Sequence, residues 1–409
     1  MPVNSTRRNV GRSKRRCGGI AFAVCCAGFS GTQGSAQGLS FGASTMLSYD
    51  DNVFRLEKSE ASPRGHRSDF TLRPSVTAGY ERSVGPLQVA VGASVGYTFH
   101  RYNKRLNSER LGFNGDANST LLGCGVALSG SFSRAQSDLE DLVDDPGSKV
   151  NIQNSITVGT NVLCGDSYGI RPGFGYSHSI RDNSSRLRSV SDIRSDTYSV
   201  QVGYSQPSFG LLSLYGRLYD GRYPNRPSLG PGLSADDGIK SYSGGLSYSR
   251  KVGSRLSASA SVGYMKTDPN QKGVKGSSGI TYSGDISFKG SDRLSGVLGF
   301  SRDAQQSNLI AVSYAIVTRY SLDLTYALNR AISLSGGASI SRRHFKDSPD
   351  EVALARGVDK TTRFIGGVDF NAVRRIKLSL SASHERRDAD VELFDYTSNR
   401  ISLTAGLRF

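Results

Sequence analysis

The sequence predicts an all-β fold: a transmembrane, antiparallel up-and-down β-barrel of about eighteen strands, with sixteen also compatible, behind a cleaved signal peptide. Three observations carry this. Apolar and polar residues alternate with period two through most of the chain. Short turns alternate with long polar connections, and the chain closes on an aromatic residue, Phe409, at the end of an alternating stripe. A helical membrane protein is excluded, because no apolar run approaches the ~20 residues a spanning helix needs. Hydrophobic residues are only 37% and mean hydropathy is −0.35. Charged residues, at 21%, are mixed among apolar ones, which argues against wholesale disorder.

The N-terminal segment, residues 1–36, has the three parts of a secretory signal. Arg7, Arg8, Arg12, Lys14, Arg15 and Arg16 precede the apolar stretch from Ile20 to Phe29. Gly34 and Ala36 then suit the small positions of a cleavage site. Residues 37–409 are expected to form one barrel domain. Removing the signal lowers the net charge from +16 to about +10 (16 − 6). A basic exported chain meets no chromosome, so its expected partners are outer-membrane lipid, lipopolysaccharide and acidic polysaccharide rather than nucleic acid.

The strands follow from the alternation. Leu87, Val89, Val91, Ala93, Val95, Tyr97 and Phe99 form the longest apolar stripe. Leu256, Ala258, Ala260, Val262 and Tyr264 oppose Ser257, Ser259, Ser261 and Gly263; Ile376, Leu378, Leu380 and Ala382 oppose Lys377, Ser379, Ser381 and Ser383. In the last strand Ile401, Leu403, Ala405, Leu407 and Phe409 share one face. The alternate face is mostly Ser, Gly and Thr rather than the Lys and Glu of a surface in bulk water. Small polar residues suit an enclosed wet interior, and Tyr or Phe at the stripe ends suit aromatic girdles. Trp, the usual girdle residue, is absent.

Short connections are expected at Arg82–Pro86, Leu122–Gly125, Arg250–Ser254, Gly290–Asp292, Asn329–Arg330 and Arg374–Arg375. Long ones are expected at Asp50–Arg67, Glu140–Ser148, Asp182–Ser195, Pro224–Gly238, Thr267–Ser277, Lys346–Lys360 and Arg386–Tyr396. Such asymmetry marks outer-membrane barrels, and an even strand count puts both termini on the periplasmic side.

Following the alternation, Arg73, Arg171, Arg217, Arg319 and Arg363 point inward with Asp285, Asp323 and Asp369. Charges lining a pore set its ion selectivity; the other reading is that these residues neutralise one another and brace the wall. After cleavage only Cys124 and Cys164 remain, in turns at the start of strand five and the end of strand six. Neighbouring strands are ~4.8 Å apart, so the spacing permits a disulfide, reduced thiols being the alternative. No metal site or cofactor is expected. The histidines, His66, His100, His178, His344 and His384, fall in predicted loops or outer strand ends, where contact with water or lipopolysaccharide is expected. No Ser stands in a recognisable nucleophile motif, so no catalytic residue is assigned and the chain is not read as an enzyme.

Two features resemble known families. Phe409 behind alternating apolar residues is similar to the C-terminal signal by which bacterial outer-membrane barrels reach their assembly machinery. Leu47-Ser48-Tyr49-Asp50-Asp51-Asn52-Val53-Phe54-Arg55 resembles the first strand and loop of the "putative β-barrel porin" family that accompanies exopolysaccharide-biosynthesis loci. That resemblance implies a bacterial outer-membrane channel assisting exopolysaccharide export, with the polysaccharide and periplasmic export components as partners. For Asp50, Asp51 and Asn52 the residues themselves predict a turn-forming polar cluster, with ligand contact or loop folding as the other reading. Three further readings stand beside polysaccharide export: a general diffusion porin, a surface barrel enzyme (protease or lipase), and a plugged structural barrel.

Overall fold

The computed structural model describes residues 38–57, 65–137, 151–166, 168–185, 188–225, 237–270, 276–306, 312–347, 357–373 and 375–409. The predicted signal peptide, residues 1–36, and the predicted loop Glu140–Ser148 lie outside the described residues, as do parts of the other long connections.

Among the described residues the strands are β1 (Gly38–Asp50), β2 (Asp69–Val84), β3 (Leu87–His100), β4 (Ser108–Leu121), β5 (Cys124–Gln136), β6 (Ile152–Cys164), β7 (Gly169–Asn183), β8 (Ile193–Gln206) and β9 (Gly210–Tyr223). They continue as β10 (Asp237–Val252), β11 (Leu256–Pro269), β12 (Ser277–Lys289), β13 (Leu294–Gln306), β14 (Val312–Ala327), β15 (Ile332–Asp347), β16 (Val358–Val373), β17 (Ile376–Ala389) and β18 (Tyr396–Arg408). Each pairs antiparallel with its sequence neighbours, and β1 pairs with β18, closing an 18-stranded barrel. Closure removes the free edge that lipid cannot solvate.

The pleat sends the two alternating sets to opposite faces. Leu39, Val95 and Leu214 are 69%, 59% and 62% exposed, and the large exposed apolar residues recur on the outward face of strand after strand. Lipid is the only surroundings in which such a surface is stable around a whole closed sheet. The lumen face carries the serines and glycines. Ser44 and Ser75 hydroxyls lie 2.8 Å apart across β1 and β2, and Ser261 and Ser283 lie 2.8 Å apart across β11 and β12.

Tight turns occupy one rim. Gly85 and Pro86 connect β2 to β3, and Leu122 and Gly123, with φ of 50° and 77°, connect β4 to β5. Positive φ at both residues, as at Leu122 and Gly123, is what a type I′ two-residue hairpin turn requires. The longer connections occupy the opposite rim, and both ends of the barrel chain lie at the tight-turn, periplasmic side. Several strands outrun their expected ends. Pairing continues through Ala389 on β17 and begins at Val358 on β16, inside stretches whose polarity predicts loop. Beyond the lipid both faces of a strand are wet, so polarity there does not distinguish strand from loop. Cys124 and Cys164 likewise lie within β5 and β6 rather than in the adjoining turns.

The packed apolar core lies at the long-loop rim rather than along the barrel axis. One cluster joins Val53, Phe54, Leu56 and Leu106; another joins Ile239, Met265, Tyr314 and Ile316; a third joins Ala315, Val317 and Phe345.

Candidate permeation pathway

Register places all eight charged residues singled out from the sequence on the lumen-facing set. Arg217 stands opposite Ser199 and Ser243, Arg319 opposite Ser301 and Ser341, and Arg363 opposite Ser339 and Glu385. Asp285 stands opposite Ser259 and Gly299, Asp323 opposite Val297 and Gly337, and Asp369 opposite Ser333 and Ser379. Arg73 faces Met46, and Arg171 faces Gly203.

These residues do not form one ring. Arg217 on β9 reaches Asp303 on β13, Nη2 to Oδ2 2.6 Å. Asp369 meets Lys377 Nζ at 3.3 Å, and Arg363 Nε stands 3.9 Å from Glu385. Arg73 lies within electrostatic reach of Arg110 and Arg400, and its buried Nε has no hydrogen-bond partner among the described residues. Gly96 of β3 stands opposite Arg110 and so puts no side chain on the wall between Arg73 and Arg110. Of that trio, Arg400 is paired with Asp50 at 2.7 Å.

The long-loop mouth is built from residues that alternation alone does not reveal. Asn52, almost fully buried after β1, donates through Nδ2 to Leu56 O at 2.8 Å and to Thr397 O of β18 at 3.0 Å. Its Oδ1 accepts from Leu56 N at 3.0 Å. The Asp50 carboxylate accepts from Asn52 N at 3.0 Å and from Ser398 Oγ at 2.9 Å. These bonds hold Val53, Phe54 and Leu56 against Leu106 of the next connection. The polar cluster at Asp50–Asn52 is therefore a turn whose side chains fold the first loop.

Arg55 ties this turn to the wall, with Nη1 3.1 Å from Asp50 and Nε 3.4 Å from Glu385. Burial alone would lower its pKa, but Asp50 and Glu385 outweigh burial and hold it above the ordinary guanidinium value. Beside it, Asp359 of β16 receives Arg343 Nε at 2.9 Å and Arg387 Nη2 at 2.5 Å.

The upper half of the β13–β14 hairpin folds into the lumen. Lower on β14, Tyr320, Leu322 and Leu324 face lipid. On the same face higher up, Tyr314 and Ile316 are buried against Ile239 and Met265, on the lumen-facing set of β10 and β11. The β12–β13 ladder covers only Tyr282–Lys289 against Ser295–Arg302, whereas β13 stays paired with β14 as far as Gln306 and Tyr314. The Arg217–Asp303 pair bridges β9 to this infolded hairpin.

Cys124 and Cys164 stand directly opposite one another and are joined by a disulfide, with Cα atoms 3.9 Å apart. Of the histidines, His100 meets the fully buried Asp69 at 3.2 Å, His178 meets Asp196 at 2.8 Å and His384 meets Asn399 at 2.8 Å.

Residues 222–409 match the family described as putative beta-barrel porin 2. No curated protein matches the chain. Among solved structures, OccK2 (OpdF) of Pseudomonas aeruginosa is 11% identical, with 91% of this chain and 98% of that one covered and a TM-score of 0.48. A BenF-like porin from Pseudomonas fluorescens Pf-5 is 13% identical, covering 91% and 99%, with a TM-score of 0.48. OccAB3 of Acinetobacter baumannii is 10% identical, covering 91% and 99%, with a TM-score of 0.46. With its closed sheet and lipid-facing apolar belt, the chain is an outer-membrane β-barrel, and over residues 222–409 it resembles the putative beta-barrel porin 2 family.

Proposed function

We propose that the barrel is a passive diffusion channel for small solutes that prefers anions, and that it carries out no catalytic step. The observation that supports this most is the Arg73, Arg110 and Arg400 group on the lumen wall, in which Asp50, itself shared with Arg55, is the acid facing Arg400. Confined positive charge between low-dielectric walls raises the local concentration of anions.

Export of an acidic exopolysaccharide, which the family resemblance implies, would draw on the same arginines. A polymer would also have to pass the β13–β14 hairpin folded into the lumen, which favours small solutes. Reversal potentials across a planar bilayer under a salt gradient test the proposal. Wild-type barrel should prefer anions, and Arg73→Ser with Arg110→Ser should move the reversal potential toward cations. An unchanged potential in a conducting channel would overturn the role of these arginines. Polysaccharide secretion lost on deletion of the gene, and restored by wild type, would favour the polymer reading instead.

A further inference from the structure

A line of cations crosses the lipid-facing side of β13–β16. Pairing sets Tyr282 opposite Arg302, Arg302 opposite Thr318, Thr318 opposite Arg342, and Arg342 opposite Lys360, one continuous rung of the sheet. All belong to the outward set, because the next outward residues toward the bilayer centre are Phe300, Tyr320 and Ile340, with Phe364 below Lys360 on β16. Tyr282 and Tyr320 hydroxyls meet at 2.9 Å on this surface. The cations therefore stand just above the aromatic girdle on the long-loop side, at the depth of the outer leaflet's headgroups.

Two features of this rung ask for an anion. Arg342 and Lys360 are exposed and directly opposite one another across an antiparallel pair. Like charges in that relation repel unless something neutralises them. Asp388, the residue across from Lys360, is held by Arg386 at 2.7 Å, on the neighbouring rung. Arg302 is held by Nε to Ile280 O at 3.2 Å and, along the rung, by Nη1 to Thr318 Oγ1 at 3.3 Å, which presents its guanidinium toward the Arg342 side. Guanidinium groups favour phosphate oxygens because their donors match them two at a time. The apolar residues below offer acyl chains a surface continuous with the charge.

We propose that Arg302, Arg342 and Lys360 form a binding site for the phosphates of a phosphorylated glycolipid of the outer leaflet, the lipid A part of lipopolysaccharide. Its acyl chains would lie over Phe300, Tyr320, Ile340 and Phe364.

The folded full-length barrel, titrated in detergent with bisphosphorylated lipid A and read by native mass spectrometry, tests this. The wild type should retain one lipid A. Arg342→Ser with Lys360→Ser should weaken retention roughly thirtyfold, as expected for the loss of two interfacial cations. Lipid A lacking its phosphates should bind no better to wild type than to the variant, and inorganic phosphate at equal concentration should not displace it. Wild-type affinity in the variant, equal binding of the dephosphorylated lipid, or displacement by inorganic phosphate would each overturn the site. Should the double variant fail to give the heat-modifiable barrel, Lys360→Gln alone is read the same way, with a smaller loss expected and wild-type affinity overturning it.

Discussion

Arg387 of β17 and Asp359 of β16 form an ion pair whose side chains are 0% and 1% exposed, and Asp359 holds Arg343 as well. One carboxylate is thus shared by two guanidinium groups at the mouth. Removing one partner from a buried pair leaves an uncompensated charge, at about 3–5 kcal/mol.

Asp359→Asn should therefore destabilise the barrel by about that amount. Arg387→Met should cost less, since Asp359 keeps Arg343 and the buried volume is refilled by an apolar chain. Urea unfolding in detergent, followed by loss of strand signal, checks the order. Equal losses would mean that Asp359 does not depend on both arginines.

Asn52→Ala removes three hydrogen bonds, to Leu56 N, Leu56 O and Thr397 O. At about 1 kcal/mol each, the turn loses roughly 3 kcal/mol of its hold on the wall. Arg55 should then become cleavable by trypsin in the folded barrel, and single-channel conductance should rise. A resistant Arg55 with unchanged conductance would place the hold elsewhere, in the apolar cluster of Val53, Phe54 and Leu56.

The Cys124–Cys164 bridge closes a segment with a sequence separation of 40. Loop-closure entropy for that length destabilises the unfolded chain by up to about 4 kcal/mol. Cys124→Ser with Cys164→Ser should lower the urea midpoint without altering conductance, because both residues lie on the outward face. Labelling of the unfolded, unreduced mature chain, residues 37–409, should find no free thiol; two would refute the bridge.

Phe409 is 70% exposed on the outward face, and its N–H donates to Phe41 O at 2.9 Å beside the β18–β1 seam. An exposed side chain adds little to the finished barrel. Deleting Phe409 should thus leave unfolding in detergent close to wild type but reduce the heat-modifiable barrel recovered from the outer membrane. Equal yields in cells would remove its role as an assembly signal.

The approximate strand count and the two faces of each strand were legible because period-two alternation is a local property of the chain. The last strand shows this: Ile401, Leu403, Ala405 and Leu407 face lipid as their alternation predicts. Tyr314 and Ile316 show the limit. Their alternation places them with Tyr320 and Leu322, yet they pack on the lumen wall, because an apolar side chain carries no mark distinguishing lipid from another strand. The partners of Asn52 and Asp359 were equally invisible. Thr397 lies 345 residues from Asn52, and Arg387 falls in a stretch whose polarity reads as loop. Asp50–Asn52 could be read as turn formers, but nothing local says which strand the turn ties to.

Asp303 and Arg217 are the ionic strap between the infolded β13–β14 hairpin and β9. Their side chains are 35% and 37% exposed, so solvent screens the pair and its hold is modest. The apolar contacts of Tyr314 and Ile316 with Ile239 and Met265 carry the rest of the attachment. Asp303→Asn should let the hairpin tip fluctuate outward, giving a larger and noisier single-channel conductance. Freeing Arg217 should also strengthen anion preference. Raising the salt concentration should bring wild type toward the variant, because screening weakens the same pair. Ile316→Ser on top of Asp303→Asn should enlarge conductance further than either change alone. If neither substitution alters conductance, the hairpin does not narrow the path, and the lumen must be constricted at the Asn52 turn instead.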